Sequence, residues 1–314
     1  MGAHHDHGHG HEHDHTGHGH SHALPASPNR AFAIAVFLNA GFVVAEVAAG
    51  LVSGSMALIA DAGHNLSDVL SLLIAWGASV LASRPPSERY TYGFKSSSIL
   101  AALANASLLW VALGAILIET VRRFFEPSPV HGTAMIVVAA LGIAINGLSA
   151  LLFARGSKSD LNLRAAFLHL MADAAVSVGV VMAGVLVLWT GESLFDPLAS
   201  LLITAVIAWG SWGLLRDSLR MGMLAVPDGI DHDAVARHLA SREGVRAIHD
   251  LHIWPMSTTE TALTAHLLIP AGHPGDAFLR DLAHDLDHRF GIGHVTIQIE
   301  TGEADCTLEH HSAI

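Results

Sequence analysis

The chain has 314 residues, of which 51% are hydrophobic and only 14% are charged, and its formal net charge is −12 with His counted as neutral. This composition, with a mean hydropathy of +0.45, indicates long segments suited to lipid rather than two or three soluble domains. The thinly spread Lys and Arg residues form no basic stripe for nucleic acid, and the single cysteine, Cys306, excludes an intramolecular disulfide framework and cysteine-based zinc modules.

Residues 1–29 are predicted to form a disordered cytoplasmic tail. Ten of the first 22 residues are His, interleaved with Gly, Asp and Glu, and Pro25 and Pro28 close the segment. Such a composition cannot bury a core, but it can bind transition metals loosely. We interpret the tail as a device for metal capture. A passive spacer or a purification tag is the alternative, although a tag usually has an uninterrupted run of His.

Six apolar segments follow, each at least about 20 residues long, which is the length that a helix needs to cross the hydrocarbon core of a bilayer. They lie at 31–52, 56–82, 97–121, 132–154, 164–190 and 196–217, within a predicted transmembrane domain of residues 30–222. An even number of spans puts both termini on one side. If that side is the inside, the inner flanks hold most of the flanking Lys and Arg residues and the outer flanks hold only Arg122 and Arg123, which fits the positive-inside rule.

Two of these segments carry a His and an Asp four residues apart, His64 with Asp68 and His169 with Asp173. On a helix this spacing puts both side chains of a pair on one face, and the topology brings the two pairs toward a common depth. Two imidazoles and two carboxylates suit tetrahedral Zn²⁺, and ionisable groups at membrane depth are costly, so we interpret the four as one metal site. The alternative is that each makes an ordinary hydrogen bond between helices.

Four further acids lie in or near the apolar segments. Asp61, three residues before His64, is either a carboxylate on the ion's entry path or next to the ligands, or a residue at a helix start near the outer interface, and the sequence favours neither. Glu46 is predicted to be a buried hydrogen-bond partner, whereas Glu119 and Asp196 are predicted to be interfacial.

From Val226 the pattern changes to that of a soluble domain, which we place at residues 223–302. Its periodicities predict the order αββαβ, with helices at Asp231–Arg242 and Asp276–Phe290 and strands at Arg246–Trp254, Glu260–Ile269 and His294–Glu300. This order favours a small α+β domain. Residues 303–314 are predicted to be a flexible C-terminal tail.

Five motifs occur in a fixed order behind the His-rich tail. They are SMALIADAGHNLSD (Ser55–Asp68), YTYGFKSSSILAAL (Tyr90–Leu103), LHLMAD (Leu168–Asp173), HDLHIW (His249–Trp254) and VTIQIE (Val295–Glu300). In these motifs the chain, from about Arg30 to Glu300, resembles the zinc-transporting cation diffusion facilitators. The resemblance implies a mainly α membrane protein, in which a six-transmembrane-helix bundle is followed by a small α+β ferredoxin-like cytoplasmic domain, and which acts as a homodimer exchanging metal for protons.

The resemblance also assigns metal ligands. His64, Asp68, His169 and Asp173 match the family's transport-site positions, and His at the first of them goes with zinc preference in this family. The family pattern favours a second, cytoplasmic site that bridges the dimer, with ligands at His249, His266 and Glu300.

The cytoplasmic site has alternatives of its own. Gln298 stands at a further family ligand position and is a poorer ligand, and the His residues are otherwise explained as solvated side chains on a polar sheet face. Strand alternation puts His249 and His252 on opposite faces, so one site is not expected to use both. Asp250 is predicted to orient a nearby imidazole.

The prediction is a secondary active transporter, not an enzyme, that exports Zn²⁺ from the cytoplasm in exchange for protons by alternating access. Proton coupling follows from ligation, because metal binding needs neutral imidazoles and ionised carboxylates and therefore competes with protonation. We expect a multi-pass protein of the inner membrane with both termini in the cytoplasm and no nucleic-acid partner.

Other interpretations stay open. Within transport, the alternative cargo is Co²⁺, Ni²⁺, Fe²⁺ or Cd²⁺. In a different class, the chain is a membrane-bound metal receptor or buffer that does not move ions. An intramembrane metalloenzyme is disfavoured, because no apolar segment carries an H-E-x-x-H motif.

Overall fold

The computed structural model describes residues 30–154 and 161–302. The predicted His-rich tail at 1–29 and the predicted flexible segment at 303–314, which contains Cys306, lie outside the described residues.

Six long helices confirm the predicted apolar segments to within a few residues at each end. They are α1 (Arg30–Ser53), α2 (Met56–Ala82), α3 (Ser97–Phe125), α4 (Gly132–Ala154), α5 (Leu161–Thr190) and α6 (Phe195–Gly222). By length and composition, α2 to α6 can each cross a membrane, which confirms five of the six predicted spans. In α1 the described apolar stretch is Asn39–Ser53, which is shorter, so a sixth span at α1 stays a prediction.

The helix bundle has an apolar interior and an apolar outer surface. Leu58, Met135 and Val180 are fully buried where α2, α4 and α5 meet. Trp189 and Trp209, by contrast, are more than four-fifths exposed on the outside. A surface of this kind is expected where lipid, rather than water, surrounds the helices.

α4 and α5 form the most extensive helix pair among the described residues, and two glycines allow the close approach. A Cβ on Gly132 would lie 2.7 Å from the backbone oxygen of Gly184, and a Cβ on Gly184 would lie 2.9 Å from Cγ1 of Ile136. Small residues at such positions let helix backbones approach within a membrane.

Asp196, the second residue of α6, is fully buried within the protein, and its interfacial depth stays a prediction. Its carboxylate accepts hydrogen bonds from the Ser55 hydroxyl at 2.5 Å and from the backbone N–H groups of Met56 at 2.8 Å and Ala57 at 3.2 Å. The first N–H groups of a helix have no partner within that helix and favour a negative charge. An acid of α6 therefore caps α2 from outside, a long-range contact that the local sequence of α6 does not show.

The two arginines at the predicted outer flank are paired with a carboxylate. Glu119 lies 3.2 Å from a guanidinium nitrogen of Arg122 and 3.4 Å from Nε of Arg123. Arg123 also donates a hydrogen bond to the backbone oxygen of Gly54, in the short turn between α1 and α2. Arg122 and Arg123, the two exceptions to the positive-inside pattern, therefore have a structural role at this end of the bundle.

The C-terminal part has the predicted αββαβ order. It comprises α7 (His232–Ala240), β1 (Ala247–Pro255), β2 (Thr261–Leu268), α8 (Asp276–Phe290) and β3 (His294–Glu300). The three strands form one sheet in the order β1-β2-β3, in which β1 is antiparallel to β2 and β2 is parallel to β3 through the α8 crossover. The helices cover one sheet face around a core that includes Leu239, Leu263 and Leu286, as expected of a small α+β sandwich.

The turn between β1 and β2 contacts the start of α3. Lys95 forms an ion pair with Glu260. The Ser96 hydroxyl donates to the backbone oxygen of Met256 at 3.3 Å, and the Thr258 N–H donates to the Ser98 hydroxyl at 3.1 Å. The soluble domain therefore lies at the end of the bundle where the α2–α3 loop lies.

Candidate metal centre

The two His/Asp pairs predicted from their spacing meet inside the helix bundle. α2 carries His64 and Asp68 and α5 carries His169 and Asp173, and one potential ligand atom from each lies within 4.8 Å of the others. The structure thus brings together all four residues of the predicted intramembrane set.

The distances between these atoms suit one small tetrahedral ion. Nε2 of His64 lies 3.8 Å from an oxygen of Asp68 and 3.4 Å from one of Asp173. Nε2 of His169 lies 3.2 Å from an oxygen of Asp68 and 3.5 Å from one of Asp173. Ligands at about 2.0–2.2 Å from Zn²⁺ in a tetrahedron are separated from one another by roughly 3.3–3.6 Å. The four groups therefore need little movement to share an ion.

The cluster is enclosed but not sealed. The Asp173 side chain is 6% exposed, whereas His64 and His169 are each 21% exposed and Asp68 is 30% exposed. A fully closed cage would suit a permanent structural metal, while partial access is what a site needs if an ion enters and leaves.

A second group of polar side chains, on α1, α2 and α5, borders the cluster. Asn65 donates a hydrogen bond to Glu46 at 3.0 Å, so the prediction that Glu46 is a hydrogen-bond partner is confirmed. Ser177 donates to Asp61 at 3.2 Å. Asp61 and Glu46 are both fully buried, and Asp61 lies within α2, which begins at Met56, rather than at the helix start.

Asn65 and Ser177 were not predicted from the sequence, although their spacing is a signal. Asn65 follows Asp61 by four residues and Ser177 follows Asp173 by four residues, the same spacing as in the two His/Asp pairs. Polar pairs at this spacing extend the polar face of a helix by one turn.

A second cluster lies on the face of the C-terminal sheet opposite the helices, with one residue from each strand. His249 of β1, His266 of β2 and Glu300 of β3 each place a potential ligand atom within 4.8 Å of the others. Glu300 lies 3.1 Å from Nε2 of His249 and 3.1 Å from Nδ1 of His266. The strand register explains the meeting, because His249 pairs directly with His266 and Glu300 pairs with the residue two positions further along β2.

Asp250 lies at a bulge in β1, where the pairing with β2 shifts between His249 and His252. Its φ of 51° falls in the left-handed region, so simple alternation does not describe this part of the strand. One Asp250 oxygen lies 3.4 Å from Nε2 of His266, which fits the predicted orienting role, and the other lies 2.9 Å from Nε2 of His252. His252 itself is 64% exposed and stays outside the cluster, as expected.

Two other polar residues of β3 do not join this cluster. The Gln298 amide donates to Glu300 at 3.1 Å, so it contacts a member of the cluster without belonging to it. His294, at the start of β3, stacks edge-on against Tyr92 of the α2–α3 loop, with ring centroids 5.5 Å apart.

Two family models match consecutive parts of the chain. The model described as the cation efflux transmembrane domain matches residues 32–221, and the model described as the cation efflux protein, cytoplasmic domain, matches residues 227–302. The first match takes in every residue of the intramembrane cluster, and the second takes in every residue of the cluster on the sheet.

Curated proteins of similar length match the same region. The zinc transporter ZitB of Escherichia coli (strain K12) is 38% identical over 280 residues, covering 88% of this chain and 89% of ZitB. A cadmium, cobalt and zinc/H(+)-K(+) antiporter of Bacillus subtilis (strain 168) is 34% identical over 273 residues, covering 85% of this chain and 88% of the antiporter. A solved structure of the metal-bound C-terminal domain of the CzcD transporter from Cuprividus metallidurans is 36% identical, covers 23% of this chain and 99% of that chain, and gives a TM-score of 0.22.

Proposed function

Because this chain belongs to the cation efflux family, the cation diffusion facilitators, we propose that it exports Zn²⁺ from the cytoplasm in exchange for protons. It is a multi-pass membrane protein and a transporter of divalent metal cations, not an enzyme. The observation that carries the proposal is the tetrahedral spacing of the two imidazoles and two carboxylates on α2 and α5.

The ligand charges explain why the ion can be both held and released. Two carboxylates of the set, Asp68 and Asp173, balance the charge of one divalent cation, which reduces the cost of placing that cation at membrane depth. Protons compete for the same atoms, since a protonated imidazole or carboxyl group cannot donate its lone pair to the metal. Protons that arrive when the site opens outward therefore displace the ion, and their release to the cytoplasm prepares the site for the next one.

Zinc is the proposed preferred cargo, because two neutral imidazoles and two carboxylates in a tetrahedron suit Zn²⁺. The names of the related proteins include cadmium and cobalt beside zinc, so transport of these ions is the second candidate. Competition of each ion with zinc in one transport assay ranks them.

We place this activity in the inner membrane, with both termini in the cytoplasm and a homodimer as the working unit. The matched cytoplasmic-domain model supports the placement of residues 227–302 inside, and the contact of that domain with the α2–α3 loop puts this loop on the same side.

The decisive experiment is uptake of Zn²⁺ into proteoliposomes under an imposed pH gradient, with the intact protein, Asp173→Ala and Asp217→Ala. Asp217 is an exposed acid of α6 paired with Arg216, so its variant is the matched control. We expect gradient-driven uptake by the intact protein and the control and none by Asp173→Ala, because the metal loses a ligand and a balancing charge. Uptake that survives in Asp173→Ala refutes the site, and tight zinc binding without uptake by the reconstituted dimer identifies a receptor.

The cluster of His249, His266 and Glu300 is proposed as a second, cytoplasmic zinc site. Zinc at 100 times its dissociation constant stabilises a folded protein by about 2.7 kcal/mol, so the ion should raise the unfolding temperature of this domain. His266→Ala should abolish that rise, whereas His252→Ala should retain it. Equal responses in both variants would show that the sheet does not bind zinc through this cluster.

A further inference from the structure

Two buried acids beside the intramembrane cluster have no part in the proposed ligand set. Glu46 of α1 and Asp61 of α2 are both 0% exposed. One oxygen of each accepts a hydrogen bond, from Asn65 and from Ser177 respectively. The other oxygens are Oε1 of Glu46 and Oδ1 of Asp61. If both carboxyl groups are ionised, neither oxygen receives a hydrogen bond from any described residue.

The two carboxyl groups lie side by side, within hydrogen-bonding reach of each other. A carboxylate oxygen can only accept, so a hydrogen bond between two such groups requires a proton on one of them. The sequence from Ala31 to Ala82 contains no Lys or Arg that could balance two negative charges. Two adjacent carboxylates shielded from water cannot both be ionised at low cost, and one shared proton removes both the repulsion and the missing hydrogen bond.

The pair is linked to the intramembrane cluster by helix geometry. Asp61 precedes His64 by three residues on α2, and Ser177 follows Asp173 by four residues on α5. On both helices these residues therefore lie one turn from a residue of the cluster and on the same face. Asp61 interacts electrostatically with both His64 and Asp173. A divalent cation held by the cluster therefore acts on the charge of the pair.

The ionisable surroundings of the pair are few. α4, which packs against α1, has no ionisable side chain in Gly132–Ala154. α5 contributes Asp173, and α3 and α6, which also pack against α2, contribute Glu119 and Asp196 at the end of the bundle where α2 begins. Glu119 is already paired with Arg122 and Arg123, and Asp196 already caps α2.

From this arrangement we infer that Glu46 and Asp61 form a proton-binding site of their own, which holds one shared proton beside the empty cluster and releases it when a divalent cation binds. The inference rests on the proposed exchange of metal for protons and adds a proton carrier outside the four ligands. In the exchange one O–H bond of the pair breaks and the proton leaves to water. The bound cation offsets the additional negative charge that remains on the pair.

The test counts the protons released per zinc ion bound by the metal-free, full-length protein in a weakly buffered detergent solution with a pH indicator, near pH 7. The variants are Glu46→Gln, Asp61→Asn and the double variant, each of which keeps the shape of the side chain. Glu119→Gln, which removes a half-exposed acid outside the pair, is the control. Zinc binding is measured in the same samples, so that the count refers to ions actually bound.

We expect each single variant to release on the order of one proton fewer per zinc than the intact protein, and the double variant to lose no more than either single variant, because one proton is shared. Counts equal to those of the intact protein overturn the inference. So does a count in the intact protein that changes when K⁺ replaces Na⁺, because the pair would then bind K⁺ instead of a proton.

Infrared spectroscopy of the intact protein provides a second readout that does not depend on the variants folding. Zinc binding should bleach the C=O band of a protonated carboxyl group, and a difference spectrum without this loss overturns the inference. Failure of zinc uptake into proteoliposomes, with the proton difference intact, would count against the proposed transport and not against the pair.

Discussion

Asp196 shows how one side chain can fix the start of a membrane helix. Its carboxylate accepts three hydrogen bonds from Ser55, Met56 and Ala57, all buried. Asp196→Ala leaves these donors without partners, at a cost of about 1–3 kcal/mol. We expect a lower unfolding temperature in detergent and weaker transport, since α2 carries two of the proposed ligands. Glu126→Ala, at an exposed acid that follows α3, should change neither, and an unaltered unfolding temperature for Asp196→Ala would contradict the capping role.

His238 of α7 gives the soluble domain a pH dependence. Burial lowers its pKa from the ordinary 6.5, and the charges of Arg242 and Arg289 lower it further, while Asp285 opposes them. As the pH falls below 6.5, the unfolded chain takes up a proton that the folded domain does not, so the free energy of unfolding decreases. Above 6.5 this His is neutral in both states and the effect is absent.

The variant His238→Gln should remove this acid-side loss, and the exposed His288 of α8 offers the control His288→Gln. Thermal unfolding of a fragment spanning residues 223–302, measured between about pH 7.5 and about pH 5.5, checks the expectation. The same slope for His238→Gln and for the unaltered fragment would show that the His238 imidazole is not responsible.

The role of a residue could be predicted where its contacts are close in sequence, and not where they are far apart. The four intramembrane ligand candidates could be predicted, because helix periodicity alone puts His64 above Asp68 and His169 above Asp173. The cap made by Asp196 could not, because its partners lie some 140 positions earlier in the chain. Local periodicity says nothing about which helix end lies against which neighbour.

At the scale of elements, the close approach of α4 and α5 depends on glycine. In Gly184→Ala the new methyl group would lie 2.9 Å from Ile136 and 3.1 Å from the backbone oxygen of Gly132, which forces the helices apart. We expect destabilisation of about 1–3 kcal/mol and reduced zinc transport, because α5 carries His169 and Asp173.

Gly179→Ala is the matched control on the same helix, since a Cβ there meets nothing within 4 Å. It should leave stability unchanged or raise it by up to about 1 kcal/mol through helix propensity. Thermal unfolding and zinc uptake of the two variants, side by side, test the contrast. Equal stability of both would show that the helices separate without cost.

The helices and strands were predicted more completely than the details within them. Long apolar runs and clear alternation determine where α2 to α6 and β3 lie, so their positions followed from the sequence. The bulge at Asp250 did not, because it arises from the pairing of β1 with β2 rather than from either strand alone. That bulge places the Asp250 carboxylate between two imidazoles.

At the scale of the whole molecule, the proposed topology is open to a labelling test. The chain has one native cysteine, Cys306, so Cys306→Ser gives a cysteine-free background. Glu126→Cys, between α3 and α4, should react with a membrane-impermeant maleimide in intact cells. Glu88→Cys, in the α2–α3 loop that lies at the same end as the soluble domain, should react only after permeabilisation. The reverse pattern would invert the molecule and turn the proposed exporter into an importer.

The hairpin of β1 and β2 has a consequence for regulation. The strands that carry His249 and His266 end in the turn whose Glu260 is paired with Lys95 at the start of α3. An ion bound by the proposed cluster at one end of the hairpin would be coupled, through this ion pair, to the transmembrane bundle at the other end. Export would then be under feedback control, because the protein would respond to the cytoplasmic concentration of the same ion that it removes.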